Sequence, residues 1–272
     1  MPRNMEVKME SHLNKNKSIK LVGLDFDNTL YDGVTSLKSL FPWFDRLNRE
    51  GIKLGLVTGR TYDSLRKLFE GDGYLWGEPF PDFAICYESR ILNPSGLALP
   101  GCEVWNRARD ADVERAHDLL EKELAAWKRE LESEGYALRF AYLDKSYGLY
   151  LEFETPEQSI SAFEKLSARA DDSHRLQFSR NNRGLSVHAR NRSKGPALSH
   201  LLRAWGIPQE QTLVIGDSLN DLCMMNGDYH YLVATVANAD PVIRAAVEKK
   251  KGIISEHPCG KGVMDIFGKL FD

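Results

Sequence analysis

The chain has 272 residues, 36 Lys plus Arg against 39 Asp plus Glu, a net charge of −3 and 42% apolar residues. That balance leaves no cationic footprint for nucleic acid or an anionic membrane surface, and no stretch approaches the roughly 18 apolar residues of a membrane span. Four scattered cysteines, Cys86, Cys102, Cys223 and Cys259, form no C-x-x-C pair, which argues against a zinc knuckle or disulfide framework and for a reducing, cytoplasmic setting.

Residues 1–17 are polar, mixed in charge and without the apolar core of a signal peptide, which predicts a frayed leader. "SIKLVGL" reads as a buried strand ending at Asp25. Residues 36–50 carry apolar positions at helical spacing, Gly51 punctuates, and "IKLGLVT" is a second strand ending at Thr58. A helix over 61–70 and a strand over 81–86 follow. Strands alternating with helices, with polar residues at the strand ends, predict an open parallel sheet whose ligands sit beyond the carboxyl ends of the strands.

Near Glu88 the pattern changes. "SRILNPSGLALP" reads as a hairpin turning at Asn-Pro-Ser-Gly, and residues 111–135 as a highly charged amphipathic helix. "ALRFAYLD" and "YGLYLEFET" alternate as antiparallel strands around "KSYG"; a helix over 157–170 leads to "RLQFSR" and "GLSVHAR" around "NNRG". After Ser193 the first pattern returns, with a helix closed by Gly206, a strand ending at Asp217, a helix begun by "DLCMMNG", the strand "YHYLVATV" and a helix opened by Pro241. The expected organisation is an α/β core, residues 18–88 and 190–272, interrupted by an inserted α+β domain, residues 89–189.

Asp25 and Asp27 stand one residue apart at a strand end, so alternation turns both carboxylates the same way, an arrangement that calls for something positive between them. Asp217, Asn220 and Asp221 add oxygen ligands, and such a crowd suits a hard cation, Mg²⁺ best. Asp25 can attack phosphorus as an oxygen nucleophile; Asp27 can protonate a leaving alcohol and later deprotonate water. Thr58 offers a hydroxyl, Gly59 an approachable N–H, and Lys194 a charge at a helix start. Each has a bland reading: a loop pair for the aspartates, helix caps for Thr58 and for Asn220 with Asp221, a solvated lysine for Lys194. Their joint occurrence in order favours a site.

"DFDNTL" (25–30), "VTGR" (57–60), "SKG" (193–195) and "GDSLND" (216–221) resemble, in order and context, the four motifs of haloacid dehalogenase-like phosphatases. "VTGR" followed by a large insertion, with "NADPVIRAA" (238–246) and "GKGV" (260–263), is similar to the sugar-phosphatase and Cof-like branch that carries a type-two cap. The resemblance implies a Rossmann-like parallel sheet core with an inserted α+β cap, and an aspartyl-phosphate on Asp25. It further implies Mg²⁺ on Asp25, Asp217, Asp221 and the backbone carbonyl of Asp27. Phosphate contacts would come from Thr58, Gly59, Lys194 and Asn28, with Asn220 serving metal or phosphate. One departure is Asn28, where that branch usually has Gly. The implied partner is a small phosphorylated metabolite, a sugar phosphate such as a phosphorylated disaccharide or glycosyl-glycerate. A hexose phosphate phosphomutase shares these motifs and this cap type. Phospho-accepting receiver modules also use Asp, Thr and Lys around Mg²⁺, but are much shorter and lack the insertion.

Between His174 and Lys194 stand Arg175, Arg180, Arg183, His188, Arg190 and Arg192, with no acidic residue. If the "SRNNRG" tip leans over the site, Asn181, Asn182 and Arg183 would meet substrate, with His188 and Arg190 from the same strip; a solvated sheet face is the alternative. A cap hinged near 88–90 and 189–192 would exclude water during transfer.

Overall fold

The computed structural model describes residues 19–169, 176–181 and 183–272; the expected leader, Arg175 and Asn182 lie outside them. The first run is β1 (Leu21–Leu24), a 3-10 turn at Leu37–Leu40, α1 (Phe41–Arg49), β2 (Lys53–Val57), α2 (Tyr62–Gly71) and β3 (Phe83–Cys86). Local chemistry sets these boundaries. Pro42 lies in the first turn of α1, where no amide donor is needed, and Thr61 caps α2 by accepting the Ser64 N–H at 3.0 Å.

Next come β4 (Arg90–Leu92), α3 (Glu103–Ser133), β5 (Leu138–Asp144), β6 (Gly148–Phe153), α4 (Pro156–Arg169), β7 (Leu176–Asn181) and β8 (Gly184–Ala189). The chain ends with α5 (Lys194–Trp205), β9 (Thr212–Ile215), α6 (Leu222–Met225), β10 (Leu232–Thr235), α7 (Pro241–Lys249), β11 (Ile253–Ile254) and α8 (Cys259–Phe271). Gly206, at φ +65°, stops α5 as expected.

The large sheet has the order β11-β10-β9-β1-β2-β3-β4 and is parallel except for the β3–β4 pair. Along β1, Val22 and Leu24 face the layer of α1, α2 and α8, while Leu21 faces that of α5 and α7. The chain leaves β1 towards β2 on one side and returns through β9 on the other, so the β1/β9 crevice is the switch point where open α/β sheets bind ligands. Register pairs Leu24 with both Leu56 and Ile215, so β1, β2 and β9 stop level and release their loops together.

The second sheet, β5-β6-β8-β7, is antiparallel. Leu149, Leu151, Phe153, Leu185 and Val187 pack with Leu120, Trp127 and Leu131 of α3 and Ala162 and Leu166 of α4. The alternate residues Phe140, Tyr142 and Tyr150 stand on the opposite, exposed face.

Three features depart from expectation. β4 pairs with β3, so the large sheet continues past residue 88. α3 begins at Glu103, eight residues before the expected 111, because its first turns pack on the core rather than on the second sheet. There Asn106, buried, accepts the Ile91 N–H at 2.9 Å and donates to the Ile91 carbonyl at 2.8 Å, standing in for a further strand on the β4 edge. α8 was not anticipated at all. An Asn106→Leu variant leaves the Ile91 N–H unpaired, while the Ile91 carbonyl keeps the Leu99 N–H at 3.3 Å, and should lose about 1–3 kcal/mol in urea denaturation; a loss under about 0.5 kcal/mol would mean that water or a shifted helix replaces the pairing.

Candidate active site

Lys194 opens α5 and is fully buried. Its Nζ donates to Asp25 Oδ1, after β1, and to Asp221 Oδ1, after β9, each at 2.6 Å. Burial alone pulls the lysine down, but Asp221 and Asp25 outweigh it and hold the ammonium above its ordinary range. Asp221 folds back so that its Oδ2 accepts the N–H groups of Asp217 (3.0 Å) and Ser218 (3.1 Å). Gly216 makes this possible, since a Cβ there would meet the Asp221 carboxyl carbon at 2.5 Å. Thr29 donates to Asp217 Oδ1 at 2.8 Å.

One carboxylate oxygen from each of Asp25, Asp217 and Asp221 lies within 4.8 Å of the others. Against these three buried acids stands one ammonium, and burial with that imbalance raises the affinity of Asp25 and Asp217 for protons. Burial and the Asp221 charge push Asp25 well above the usual carboxylate range despite Lys194. Burial pushes Asp217 up to about 6 despite the Thr29 bond. A hard divalent cation fits this all-oxygen donor set and would offset the excess charge.

Asp25 and Asp27 each meet a different cationic side chain, Lys194 and Arg60. The ladder ends at Leu24, and the Phe26 carbonyl accepts the Leu30 and Tyr31 N–H groups, turning the chain so that the carboxylates part. Asp27, half-exposed, is gripped by Arg60: Nε reaches its two oxygens at 3.0 and 2.9 Å, and Nη2 reaches Oδ1 at 2.7 Å. Arg60 is itself steadied by Ser64 Oγ at 3.0 Å and by the Phe26 ring 5.2 Å away. The Asp27 carboxylate therefore stands outside the three-acid cluster. Asn28 sits at φ +58°, the left-handed region that favours Gly and tolerates Asn, which is why either residue serves there. Buried Thr58 accepts the Arg60 N–H at 3.1 Å, and the helix cap that it could have been is Thr61.

Asp25, Asp27, Asn28, Thr58 and Gly59 border a cavity of about 650 Å³, while Lys194, Asp217 and Asp221 lie behind its wall. Asn220 is on its rim and donates to Glu88 Oε1 at 3.0 Å. The facing wall comes from the second sheet: Tyr142, Tyr147, Tyr150, Ser179, Ser186 and His188. Among the described residues expected to meet substrate, only His188 is in that wall. Arg190 is exposed and outside it, Arg183 leans towards Glu152 at 3.8 Å, and the Asn181 side chain is outside the described residues. The reason is direction. β8 runs from the "NNRG" tip back to the core, so Arg183 lies five residues from His188, roughly 16 Å along the strand. The β7–β8 hairpin reaches the cavity through its strands, whereas the β5–β6 hairpin also brings its turn there, through Tyr147 and Gly148.

A profile of the haloacid dehalogenase-like hydrolases matches residues 113–266, more than half of the chain. The chain belongs to this family. The matched stretch takes in Lys194, Asp217 and Asp221, and the fold brings Asp25 and Thr58 to them. A phosphoglycolate phosphatase of Staphylothermus marinus is 33% identical over 91 residues, 33% of this chain, and the match spans only 36% of that protein's length. In overall fold the hydrolase is similar to a sucrose-phosphatase from Synechocystis solved with sucrose and phosphate (TM-score 0.68, 20% identity, 93% of this chain and 98% of that one). A HAD/COF-like hydrolase from Plasmodium vivax is comparably similar (TM-score 0.68, 16% identity, 95% and 97% covered).

Three contributors to this hydrolase's site went unassigned in the sequence: Arg60 and Thr29, which lie inside quoted motifs, and the tyrosine wall. The alternation of Phe140 and Tyr142 with Ala141 and Leu143 carried a signal for the wall, because large rings on the outward face of a strand need something to cover them. A cation must displace the proton that Asp217 holds below about pH 6. Mg²⁺ at a hundred times its Kd should therefore raise Tm by roughly 5–10 °C at pH 7. The rise should shrink towards pH 5 and be smaller in Asp217→Asn; a pH-independent or absent shift in thermal melts would contradict the cluster's role.

Proposed function

We propose that this hydrolase is a cytoplasmic, Mg²⁺-dependent phosphatase that removes the phosphoryl group from a small phosphorylated metabolite, a sugar phosphate, through an aspartyl-phosphate on Asp25. What carries the reading is the convergence of Lys194, Asp217 and Asp221 on Asp25, which itself borders one end of a two-walled cavity. The cytoplasmic setting is supported by four free thiols.

Lys194 holds one oxygen of Asp25, fixing the carboxylate at the cavity wall. An Asp25 oxygen forms a bond to phosphorus as the ester oxygen leaves, taking a proton from Asp27. Asp27 then removes a proton from water, whose oxygen displaces Asp25 and releases phosphate. Proton traffic at Asp27 requires at least one Arg60 contact to loosen; both side chains are partly exposed, and such pairs are worth only about 1 kcal/mol or less. The Thr58 hydroxyl, the Gly59 N–H and Asn28 border the space where phosphate oxygens would sit. Mg²⁺, held by Asp25 and Asp217 with Asp221 fixing their surroundings, would supply Lewis-acid stabilisation of phosphoryl charge.

The sugar is suggested by the facing wall. Strand register sets Tyr142, Tyr150, Ser186 and Ser179 in one row across β5, β6, β8 and β7. A Cβ at Gly184 would strike the Tyr150 hydroxyl at 2.5 Å, so glycine lets that ring lie along the sheet. Rings beside hydroxyls suit a ligand with apolar ring faces and many hydroxyls. The phosphoglycolate and sucrose phosphatases among the similar proteins point to the same reaction class.

A phosphate-release screen over sugar monophosphates, phosphorylated disaccharides, phosphorylated glycosyl-glycerates and phosphoglycolate, with and without Mg²⁺, tests this reading. Asp25→Asn keeps an oxygen for Lys194 and should fold, yet turnover should fall about a thousandfold or more. Equal activity in that variant would remove the mechanism, and isomerised sugar phosphate without free phosphate would mark a mutase. Lys194→Met should cost about a hundred- to a thousandfold in kcat.

A further inference from the structure

We infer that Arg192 is a positioning residue that holds the β5–β6 turn over the cavity and thereby sets which alcohol the departing phosphoryl group can be carried on. The inference rests on the phosphatase reading and adds to it the device that couples the cap wall to the phosphate loops.

Arg192 lies in the short connection between β8 and α5, two residues before Lys194, and is only 6% exposed. Its Nε donates to the Tyr87 carbonyl at 2.8 Å; its Nη1 donates to the Ser146 carbonyl at 3.1 Å and the Tyr147 carbonyl at 2.8 Å. The guanidinium lies 5.8 Å from the Tyr87 ring and 5.3 Å from the Tyr147 ring, and those rings are 5.0 Å apart. One side chain thus ties the outgoing connection, the returning connection and the cap turn. Arg192, at the end of the expected hinge 189–192, is thus bonded to Tyr87, the residue just before the other expected hinge, 88–90.

The bonds continue in both directions. In the cap, Asp144 Oδ1 accepts the N–H groups of Ser146 (2.7 Å) and Tyr147 (2.9 Å), and its Oδ2 accepts the Tyr142 hydroxyl at 2.9 Å. Tyr142 and Tyr147 both border the cavity. In the core, the Tyr87 N–H donates to the Arg60 carbonyl at 3.1 Å and the Glu88 N–H to the Thr58 carbonyl at 2.8 Å. Tyr87 and Glu88 sit at φ +49° and +61°, a region that non-glycine residues hold only when their surroundings impose it; the Arg192–Tyr87 bond is part of that imposition. A hydrogen-bonded path therefore runs from the tyrosines that face the alcohol to the loop that faces the phosphate. A lysine at 192 could not reproduce it, because a point donor on a flexible stem lacks the planar fork that spans separate carbonyls.

The test compares the wild type with Arg192→Lys, Arg192→Met and Asp144→Ala on two substrates: the best sugar phosphate from the screen, and acetyl phosphate, whose acyl group is too small to reach the second sheet. In all three variants kcat/KM for the sugar phosphate should fall relative to that for acetyl phosphate by about tenfold or more, mainly through KM, with lysine giving at most partial rescue. Equal losses on both substrates would reduce Arg192 to a structural staple, and an unchanged ratio would equally overturn the inference. Should the Arg192 variants fail to fold, Asp144→Ala, which loosens the same turn without emptying the buried site, decides alone. A wild type that releases phosphate from acetyl phosphate but shows no shift in any variant fails this inference and keeps the reaction; one inert on both substrates fails the reaction, and the inference with it.

Discussion

A lysine ammonium with no exposed surface, 2.6 Å from each of two buried carboxylates, is the contact around which the rest of the molecule is arranged. Such a charge is costly to take from water, and removing one partner of a buried pair typically costs about 3–5 kcal/mol. The fold meets that cost only by bringing the ends of β1 and β9 and the start of α5 to one point. The parallel order β9-β1-β2 and the level register of Leu24, Leu56 and Ile215 do this. The arrangement leaves negative charge in excess, which a hard cation would offset.

Two aspartates with one residue between them end in different surroundings. Asp25 is buried and bonded to Lys194; Asp27 is half-exposed and bonded to Arg60. Chemistry that needs one carboxylate as nucleophile and another as proton carrier requires their environments to differ. The turn after Leu24 produces that difference, because it ends the alternation that would have kept the side chains together.

The inserted domain is connected by more than its two chain crossings. α3 begins on the core, where Asn106 closes the β4 edge and the Trp105 indole donates to the Ser89 carbonyl at 2.8 Å, and it runs unbroken to the second sheet. Arg192 adds a second tie, from the returning connection to Tyr87 and to the β5–β6 turn. The tyrosine face of the second sheet thus stands opposite the loops that carry Asp25, Asp27 and Thr58.

By itself the sequence determined what is local. Apolar runs ending in Asp or Thr marked β1, β2 and β9. The change of pattern after Glu88 announced an insertion of helix–strand–strand–helix–strand–strand, which the structure contains. Gly206 and Pro241 marked helix limits, and Asp25, Thr58, Lys194 and Asp217 were legible because strand ends and helix starts are where such side chains can act. Tertiary structure decided the partners. Arg60 for Asp27, Thr29 for Asp217, β4 on β3 and the presence of the β5–β6 turn, rather than the β7–β8 turn, at the site depend on strand order and direction. Periodicity reports only which face a residue takes on its own element; which other element lies against that face is settled by packing between segments as far apart as Asp25 and Lys194, 169 positions along the chain.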